Sequence, residues 1–470
     1  MMMMSQIAQA LGAPLHGADV LMTGVSKDTR DIHQGDLYVA LKGEHFDGHR
    51  FVADADSAGA VGALVSDAQS SDISQVRVAD TRVALGQLAG YWRQQWQQQN
   101  SAGKLIGITG SNGKTSVKEM CRKILNDFSM PTAVLATKGN LNNDIGLPMM
   151  LLELREQHRF AVIEMGANHV GEIDYLTAIA QPDVALVNNV GPAHLEGFGS
   201  LENIAKTKAE IYNGLHQDGV AIINKDDAFS VMWQERCVTK KIVSFSMLDK
   251  TADVYAKALS GNRYLVVISE AVAGEAADMK AGKEAELMLA VPGKHNVMNA
   301  LAAIAATLSV GVSLSSIVRS LAEFKNIQGR LTIATSTSGC RVIDDSYNAN
   351  PLSVSAAIDV LASMTGETVL VLGDMGELGE DAKALHAEVG IKAKAAGINM
   401  LFATGVLSAK TVAAFGDSGF HFRSKDALIN ALNKKLKGKE IVLVKGSRSA
   451  AMEEVVERIL THENNNKRVN

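Results

Sequence analysis

The chain has 470 residues, a formal net charge of −5, 47% hydrophobic and 21% charged residues, which is the composition of an ordinary globular protein of roughly three domains. No basic block stands out, which argues against nucleic acid as a partner. Cys121, Cys237 and Cys340 are scattered and odd in number, so neither a disulfide framework nor a zinc spacing follows, and a reducing, cytoplasmic setting is the simplest.

The opening Met1 to Met4 run leads into a short amphipathic segment without a basic region or long apolar core, so no signal peptide is expected. Short elements follow, with strands expected at 35–41 and 60–65 and a helix over 81–99. That helix ends in a Gln-rich run, Trp92-Arg-Gln-Gln-Trp-Gln-Gln-Gln-Asn100, which with the next Ser-Ala-Gly reads as a domain boundary.

From Lys104 the pattern turns to strand, helix, strand. A β-branched run at 105–109 breaks at Gly110, and from Gly113 a helix is expected with Val117, Met120, Cys121, Ile124, Leu125 and Phe128 on one face. A strand, a glycine loop, Lys114-Thr115 and a helix form a phosphate cradle: loop N–H groups and the helix N-terminus face the anion, Lys114 adds positive charge, and the Thr115 hydroxyl can reach Mg²⁺. Ile108 occupies the first glycine position of the usual motif, so the loop reads as Gly110-x-x-Gly113-Lys114-Thr115.

Apolar runs recur at 133–136, 160–163, 184–187 and 220–223, as suits a parallel sheet covered on both faces and a doubly wound α/β domain. Glu164 ends one of these strands and His194 lies just beyond another, so both are metal-ligand candidates at the carboxyl edge of the sheet. The polar loop 137–148, with Asn143, could donate to a phosphate or substrate carboxylate, or equally could be an Asx-turn loop. A helix is expected over 200–215, where Lys206 and Lys208 look by composition like an ordinary solvated face. Residues 250–290 suggest an antiparallel edge, and 292–300 lead into an Ala-rich helix ending near Gly311. Its most apolar stretch, 301–312, is too short to span a bilayer, so no membrane insertion is expected.

A third βα series starts after Gly329-Arg330, with strands at 341–344, 368–372, 400–403 and 440–444 and helices at about 352–364, 381–396, 425–436 and 451–461; the polar 461–470 should fray. The glycine-bearing 372–379 reads either as a functional loop or as a simple βα turn.

Taken together, Gly-Ser-Asn-Gly-Lys-Thr (110–115), Gly-Asn-Leu-Asn-Asn-Asp-Ile-Gly-Leu-Pro (139–148), Glu-Met-Gly-Ala (164–167) and Asn-Val-Gly-Pro-Ala-His (189–194) resemble the Mur ligases, ATP-dependent amide-bond-forming enzymes of bacterial peptidoglycan assembly. Asp-Asp-Ser-Tyr-Asn-Ala-Asn-Pro (344–351), Leu-Gly-Asp-Met-Gly-Glu-Leu-Gly (372–379) and Val-Lys-Gly-Ser-Arg-Ser (444–449) are similar to the branch that joins D-alanyl-D-alanine to a UDP-N-acetylmuramoyl-tripeptide, rather than to branches, or to folylpolyglutamate synthase, that add one amino acid. The resemblance covers about 26–459 and implies three domains: 1–100 binding the UDP-muramoyl peptide, a doubly wound P-loop ATPase at 101–328, and a Rossmann-like domain at 329–470 that binds D-alanyl-D-alanine and closes on ATP.

By motif it implies that Gly110, Ser111, Asn112, Gly113, Lys114, Thr115, Ser116 and Asn143 hold ATP phosphates, and that Asn296 and Asn299 contact adenine. Arg330 and Asp345 reach phosphate and ribose from the C-terminal side. Two Mg²⁺ ions would be held by Thr115, Glu164, His194 and a carbamylated Lys208, and Lys114, His194, Lys208 and Arg330 would be the catalytic set. Asp28-Thr29-Arg30 and 35–49 resemble the uridine-nucleotide region, and a cytoplasmic monomer is expected. The rival from another class is a P-loop ATPase or nucleotide-binding regulator that ligates nothing and leaves the third βα series without a role.

Overall fold

The computed structural model describes residues 1–273 and 283–461. The part of the expected antiparallel edge at 274–282 and the expected frayed tail from 462 onward lie outside the described residues.

The first sheet has five strands, β1 (Leu15–His16), β2 (Gly24–Ser26), β3 (Asp36–Val39), β4 (Gly62–Val65) and β5 (Ser74–Arg77), in spatial order β1-β5-β4-β3-β2. Only the β1–β5 pairing is antiparallel. Helix α1 (Thr81–Gln99) follows, capped by Asp80, whose carboxylate accepts from the N–H groups of Arg82 and Val83.

The central sheet contains β6 (Lys104–Thr109), β7 (Val134–Ala136), β8 (Phe160–Glu164), β9 (Val184–Val187), β10 (Val220–Asn224), β11 (Lys241–Ser246), β12 (Val254–Ala258), β13 (Arg263–Ile268) and β14 (Glu284–Met288). Its order is β14-β13-β12-β11-β10-β9-β6-β8-β7, parallel from β7 through β12 and antiparallel across β12–β13–β14. This matches the expected doubly wound sheet with an antiparallel edge. The chain leaves β6 towards β7 on one side and later enters β9 on the other, so the carboxyl end of β6 is a topological switch point, where open α/β sheets bind ligands.

Helix α2 (Lys114–Phe128) buries Val117, Met120, Cys121, Ile124 and Leu125 against β6 and β8, so the expected apolar face forms. Phe128 departs from it: at the last turn its ring is 37% exposed and lies under the Arg159 guanidinium. The helix expected over 200–215 is broken into α3 (Leu201–Ala209) and a 3₁₀ turn at Glu210–Gly214. Within α3, Lys206 is exposed and pairs with Glu202 one turn earlier, whereas Lys208 is buried, contrary to the solvated face read from composition.

The Gln-rich end of α1 is no loose connector. Trp92 and Trp96 are buried, and their indole N–H groups donate to Leu154 O and His158 O of the central layer. Arg93, 1% exposed, donates to Ala180 O and pairs with Asp183. Trp92 and Trp96 share one apolar core with Leu105, Ala161 and Val187.

The C-terminal sheet is β15 (Thr332–Thr335), β16 (Arg341–Asp345), β17 (Thr368–Leu372), β18 (Met400–Thr404), β19 (Gly419–Phe422) and β20 (Ile441–Lys445), ordered β15-β16-β20-β17-β18-β19 and parallel except for β15. Helix α4 (Lys294–Leu308), the expected Ala-rich helix, packs on α2 and the central sheet and connects through 309–329 to this third layer.

Candidate active site

The loop after β6 lies in a cavity of about 2250 Å³ whose walls come from the central sheet edge and the C-terminal sheet edge. At its floor, the first-turn N–H groups of α2 have no intrahelical partners and the helix dipole adds positive potential. The loop is shaped by its neighbours: Asn112 N donates to Asn189 Oδ1 (2.9 Å), and Asn188 Nδ2 donates to Asn112 O (2.9 Å) and to Asn299 Oδ1 (2.8 Å). Gly113 is at φ +79°, and a Cβ there would overlap Asn299 Oδ1 and Asn188 Nδ2. Gly113→Ala should therefore destabilise the fold by about 1–3 kcal/mol and weaken nucleotide binding, read by thermal melts and nucleotide titration; an unchanged affinity would show that the close approach is dispensable.

Lys114 Nζ donates to Gly110 O (2.7 Å), curling over the loop. Burial holds its pKa below the ordinary value, against the attraction of Glu164 and with the repulsion of Arg330. Thr115 Oγ1 donates to Glu164 Oε2 (3.0 Å) and accepts from Arg330 Nη2 (3.0 Å). Glu164, 3% exposed, also accepts from Asn142 Nδ2 (2.8 Å), and its own N–H donates to Thr137 Oγ1 (2.9 Å). Thr137 is fixed in turn by the buried Lys118, which donates to its carbonyl (2.7 Å). Glu164 is thus a pre-aimed carboxylate with hard oxygen neighbours.

His194 also lines the cavity, but β6 separates its strand from that of Glu164, so the two flank the cradle from either side. It sits at φ +55° and its Nδ1 lies against the carboxylate of Glu377 of the C-terminal layer. Burial pushes its pKa down, opposed by Glu377 and reinforced by Lys114 and Lys208. Lys208 is not among the cavity-lining residues; its amine lies 5.6 Å from the centroid of the Phe198 ring, and burial with the repulsion of Lys114 lowers its pKa to about 7. Among the described residues no group of three or more His, Cys, Asp or Glu is arranged to hold a metal ion. An oxygen pair such as Thr115 and Glu164 nevertheless suits Mg²⁺, which takes few protein ligands and keeps several waters.

Ser111, Ser116, Asn143, Asn296, Asn299 and Asp345 line the same cavity. Ser111 Oγ donates to Gly191 O (3.0 Å). The oxygen of Asn143 accepts from Gly146 N (2.8 Å), the turn role that its loop composition allowed, and its neighbour Asn142 is the residue that reaches Glu164. Asn296 Nδ2 donates to Pro292 O (2.7 Å). Asp345 pairs with the buried Lys445 (2.6 Å).

The C-terminal layer is seated on the cradle. Besides the Arg330 bond, Asn350 Nδ2 donates to Asn112 Oδ1 (2.8 Å), and the Arg330 guanidinium stacks on Tyr347 at 4.3 Å. In 372–379, Asp374 is structural, accepting from Leu407 N (3.2 Å) and Ser408 N (2.7 Å), while Glu377 faces the cavity. Sequence reasoning missed Lys118, Thr137, Asn142, Asn188, Asn350 and Glu377. Asn350 and Glu377 lay inside quoted motifs, whereas Lys118 and Thr137 gave no signal beyond helix and loop composition. No residue of 26–49 lines this cavity.

Family models match three successive parts of the chain: Mur ligase family, catalytic domain at 21–93, Mur ligase middle domain at 108–307, and Mur ligase, glutamate ligase domain at 329–448. The UDP-N-acetylmuramoyl-tripeptide–D-alanyl-D-alanine ligase of Escherichia coli strain K12 is 43% identical over 455 residues, covering 96% of this chain and 97% of that protein. The chain belongs to the Mur ligase family.

A crystal structure of MurF from Acinetobacter baumannii superposes with a TM-score of 0.86 at 37% identity, covering 97% of this chain and 98% of that one. MurF from Thermotoga maritima, solved in complex with ADP, gives 0.78 at 27% identity, covering 93% and 97%. The three-layered α/β architecture is that of this family, and the chain is an ATP-dependent, amide-bond-forming ligase. Among the described residues no helix is long and apolar enough to cross a membrane.

Proposed function

We propose that this ligase joins D-alanyl-D-alanine to UDP-N-acetylmuramoyl-tripeptide in the cytoplasm, as a monomer, to give the UDP-muramoyl-pentapeptide of peptidoglycan synthesis. The observation that carries the reading is the linked chain Arg330–Thr115–Glu164, which ties the C-terminal layer to the phosphate cradle, in a protein 43% identical to a ligase of that name. The tripeptide carboxylate attacks the ATP γ-phosphorus, forming an acyl phosphate and releasing ADP. The dipeptide amine then attacks the acyl carbon, and phosphate leaves as the C–N bond forms and the amine loses its proton. Such chemistry needs charge neutralised around the phosphoryl group rather than a protein nucleophile, which fits Lys114 and Arg330 and the lack of any role for a catalytic Ser or Cys.

The cradle of 110–116, with Asn143, is assigned to the ATP phosphates, Asn296 and Asn299 to adenine, and Asp345 to ribose. Thr115, Glu164, His194 and Lys208 are assigned to two Mg²⁺ ions, which when bound would offset the charge of the transferring phosphoryl group. Lys208 supports a carbamate for a physical reason: burial lowers its amine pKa to about 7, so about half is free base at neutral pH, far more than for an ordinary lysine, and that form is nucleophilic towards CO₂. Residues 1–100, 101–328 and 329–470 are taken as the UDP-peptide, ATP and dipeptide domains.

The test is phosphate release and product mass with ATP, the UDP-tripeptide and D-alanyl-D-alanine. Release should require all three, and the product should gain the mass of the dipeptide less water. Equal turnover with a single D-alanine, or ATP hydrolysis independent of the UDP-tripeptide, would overturn the reading.

A further inference from the structure

The C-terminal wall of the cavity carries Arg330, Asp344, Asp345, Glu377, Lys445, Arg448 and Glu453 as its charged groups. Most are already committed. Arg330 is held on Thr115, Asp344 accepts from Ser346 N and Oγ, and Asp345 and Lys445 neutralise each other while buried. Glu377 and Arg448 differ. Their side chains are 60% and 67% exposed, and among the described residues their charged groups meet only His194 and Glu453, which line the same cavity. Exposed pairs of this kind are worth little and are readily exchanged for a ligand.

The loops that carry these two residues are neighbours although 71 positions separate Glu377 from Arg448. Strands β17 and β20 are neighbours, and the loops that follow them are stitched together: Ser447 N donates to Asp374 O (2.9 Å), and a Cβ on Gly376 would lie 3.6 Å from Ser447 Cβ. Glu377 follows Gly376 and Arg448 follows Ser447, so one loop pair carries both a carboxylate and a guanidinium, each turned to a different partner. Glu377 does so at φ +59°, a conformation that a non-glycine residue keeps only where its surroundings impose it. It also points towards His194, hence towards the phosphate cradle, while Arg448 turns to Glu453 on the outer side.

We propose that Glu377 and Arg448 form a two-ended clamp for the zwitterionic dipeptide, Glu377 taking the ammonium on the cradle side and Arg448 the carboxylate on the outer side. This rests on the dipeptide ligation proposed above. The polarity is the one the reaction needs, because the amine must face the acyl carbon. The Arg448 fork suits a carboxylate bidentately, as a lysine would not. A clamp with two separated charges also selects length, since a single amino acid carries its two charges about one residue, roughly 3.5 Å, closer together.

Steady-state kinetics of wild type, Glu377→Gln and Arg448→Gln, each with D-alanyl-D-alanine and with its C-terminal amide, test the clamp. Arg448→Gln should raise KM for the dipeptide about 10- to 100-fold, the usual effect of losing a charge-assisted pair, with KM for ATP and for the UDP-tripeptide unchanged. The amide should be a poor substrate of the wild type by a similar factor and no poorer for Arg448→Gln. Glu377→Gln should raise KM for both dipeptide and amide, yet bind N-acetyl-D-alanyl-D-alanine, which has no ammonium for Glu377 to hold, as the wild type does. Equal impairment of acid and amide by Arg448→Gln, or an unchanged KM in either variant, would overturn the clamp. A wild type that ligates no D-alanyl-D-alanine would instead overturn the proposed function on which it rests.

Discussion

Replacing Lys114 by alanine should lower amide formation about 10²- to 10³-fold while leaving the protein folded, the size of effect seen when one preorganised electrostatic contact to a developing charge is removed. Lys114 is the cation closest to where α2 begins, and it is held over the loop by Gly110 O at 2.7 Å. Its amine is kept part-buried at a pKa below its ordinary value, so its charge is poorly hydrated and acts at short range on whatever anion the cradle holds. The same burial means that the folded state gains nothing from the ammonium itself. The variant should therefore melt at the wild-type temperature or slightly above it, while ADP release in the presence of all three substrates collapses. Full activity in Lys114→Ala would remove the phosphate loop from the mechanism.

The parallel core was legible because strands covered on both faces leave continuous apolar runs. Phe160, Ala161, Val162 and Ile163 are all buried, and nothing but a two-sided sheet hides four consecutive residues in an extended chain. The short strands Leu15–His16 and Gly24–Ser26 and the edge strands Thr332–Thr335 and Gly419–Phe422 left no such trace, because few of their side chains are buried. Periodicity also fails where a polar residue occupies an apolar position for its chemistry. Lys208 follows Ile204, Ala205 and Thr207 on the buried side of the helix Leu201–Ala209, yet a lysine in a helix reads as surface. The same blindness hid Arg93, which tucks between Trp96 and Asp183 inside a run of glutamines. At the site itself, the motifs singled out by the family resemblance lie along one cavity, but which of two adjacent asparagines meets Glu164 depended on a turn: Asn143 spends its oxygen on Gly146 N, leaving Asn142 to face the carboxylate.

The contact between layers explains why the cradle alone says little about the reaction. Asn112 is gripped by Asn188 and Asn189 from its own sheet and by Asn350 from the C-terminal layer, and Thr115 receives Arg330 from the same side. On the proposed assignment, a phosphate held there would touch groups from both layers. If the ATP and amine sites are as proposed, the two ends of the reaction would be coupled by whether the C-terminal layer is seated, and closure would be a condition for chemistry rather than a consequence of it.

Lys208→Met should remove ligase activity, about 10²-fold or more on the carbamate proposal, and yet make the protein more stable at low pH. Burial and the nearby Lys114 ammonium bring the Lys208 amine from an ordinary 10.5 down to about 7. Between those two values the unfolded chain binds a proton that the folded chain does not, so stability rises with pH through the window from about 7 to 10.5 and is lowest below it. A gap of about 3.5 at 1.36 kcal/mol for each caps the penalty at about 5 kcal/mol. Methionine fills the same apolar space beside Phe198 without the charge. Thermal melts in CO₂-free buffer should show the variant ahead of the wild type at pH 6, with the difference shrinking as pH approaches 10. Added bicarbonate at pH 8 should then stabilise the wild type and leave Lys208→Met unmoved, because only the lysine can take up CO₂. A variant that is less stable than wild type at pH 6, by the same margin as at pH 10, would mean that Lys208 is not a buried cation under strain, and the argument for its modification would go with it.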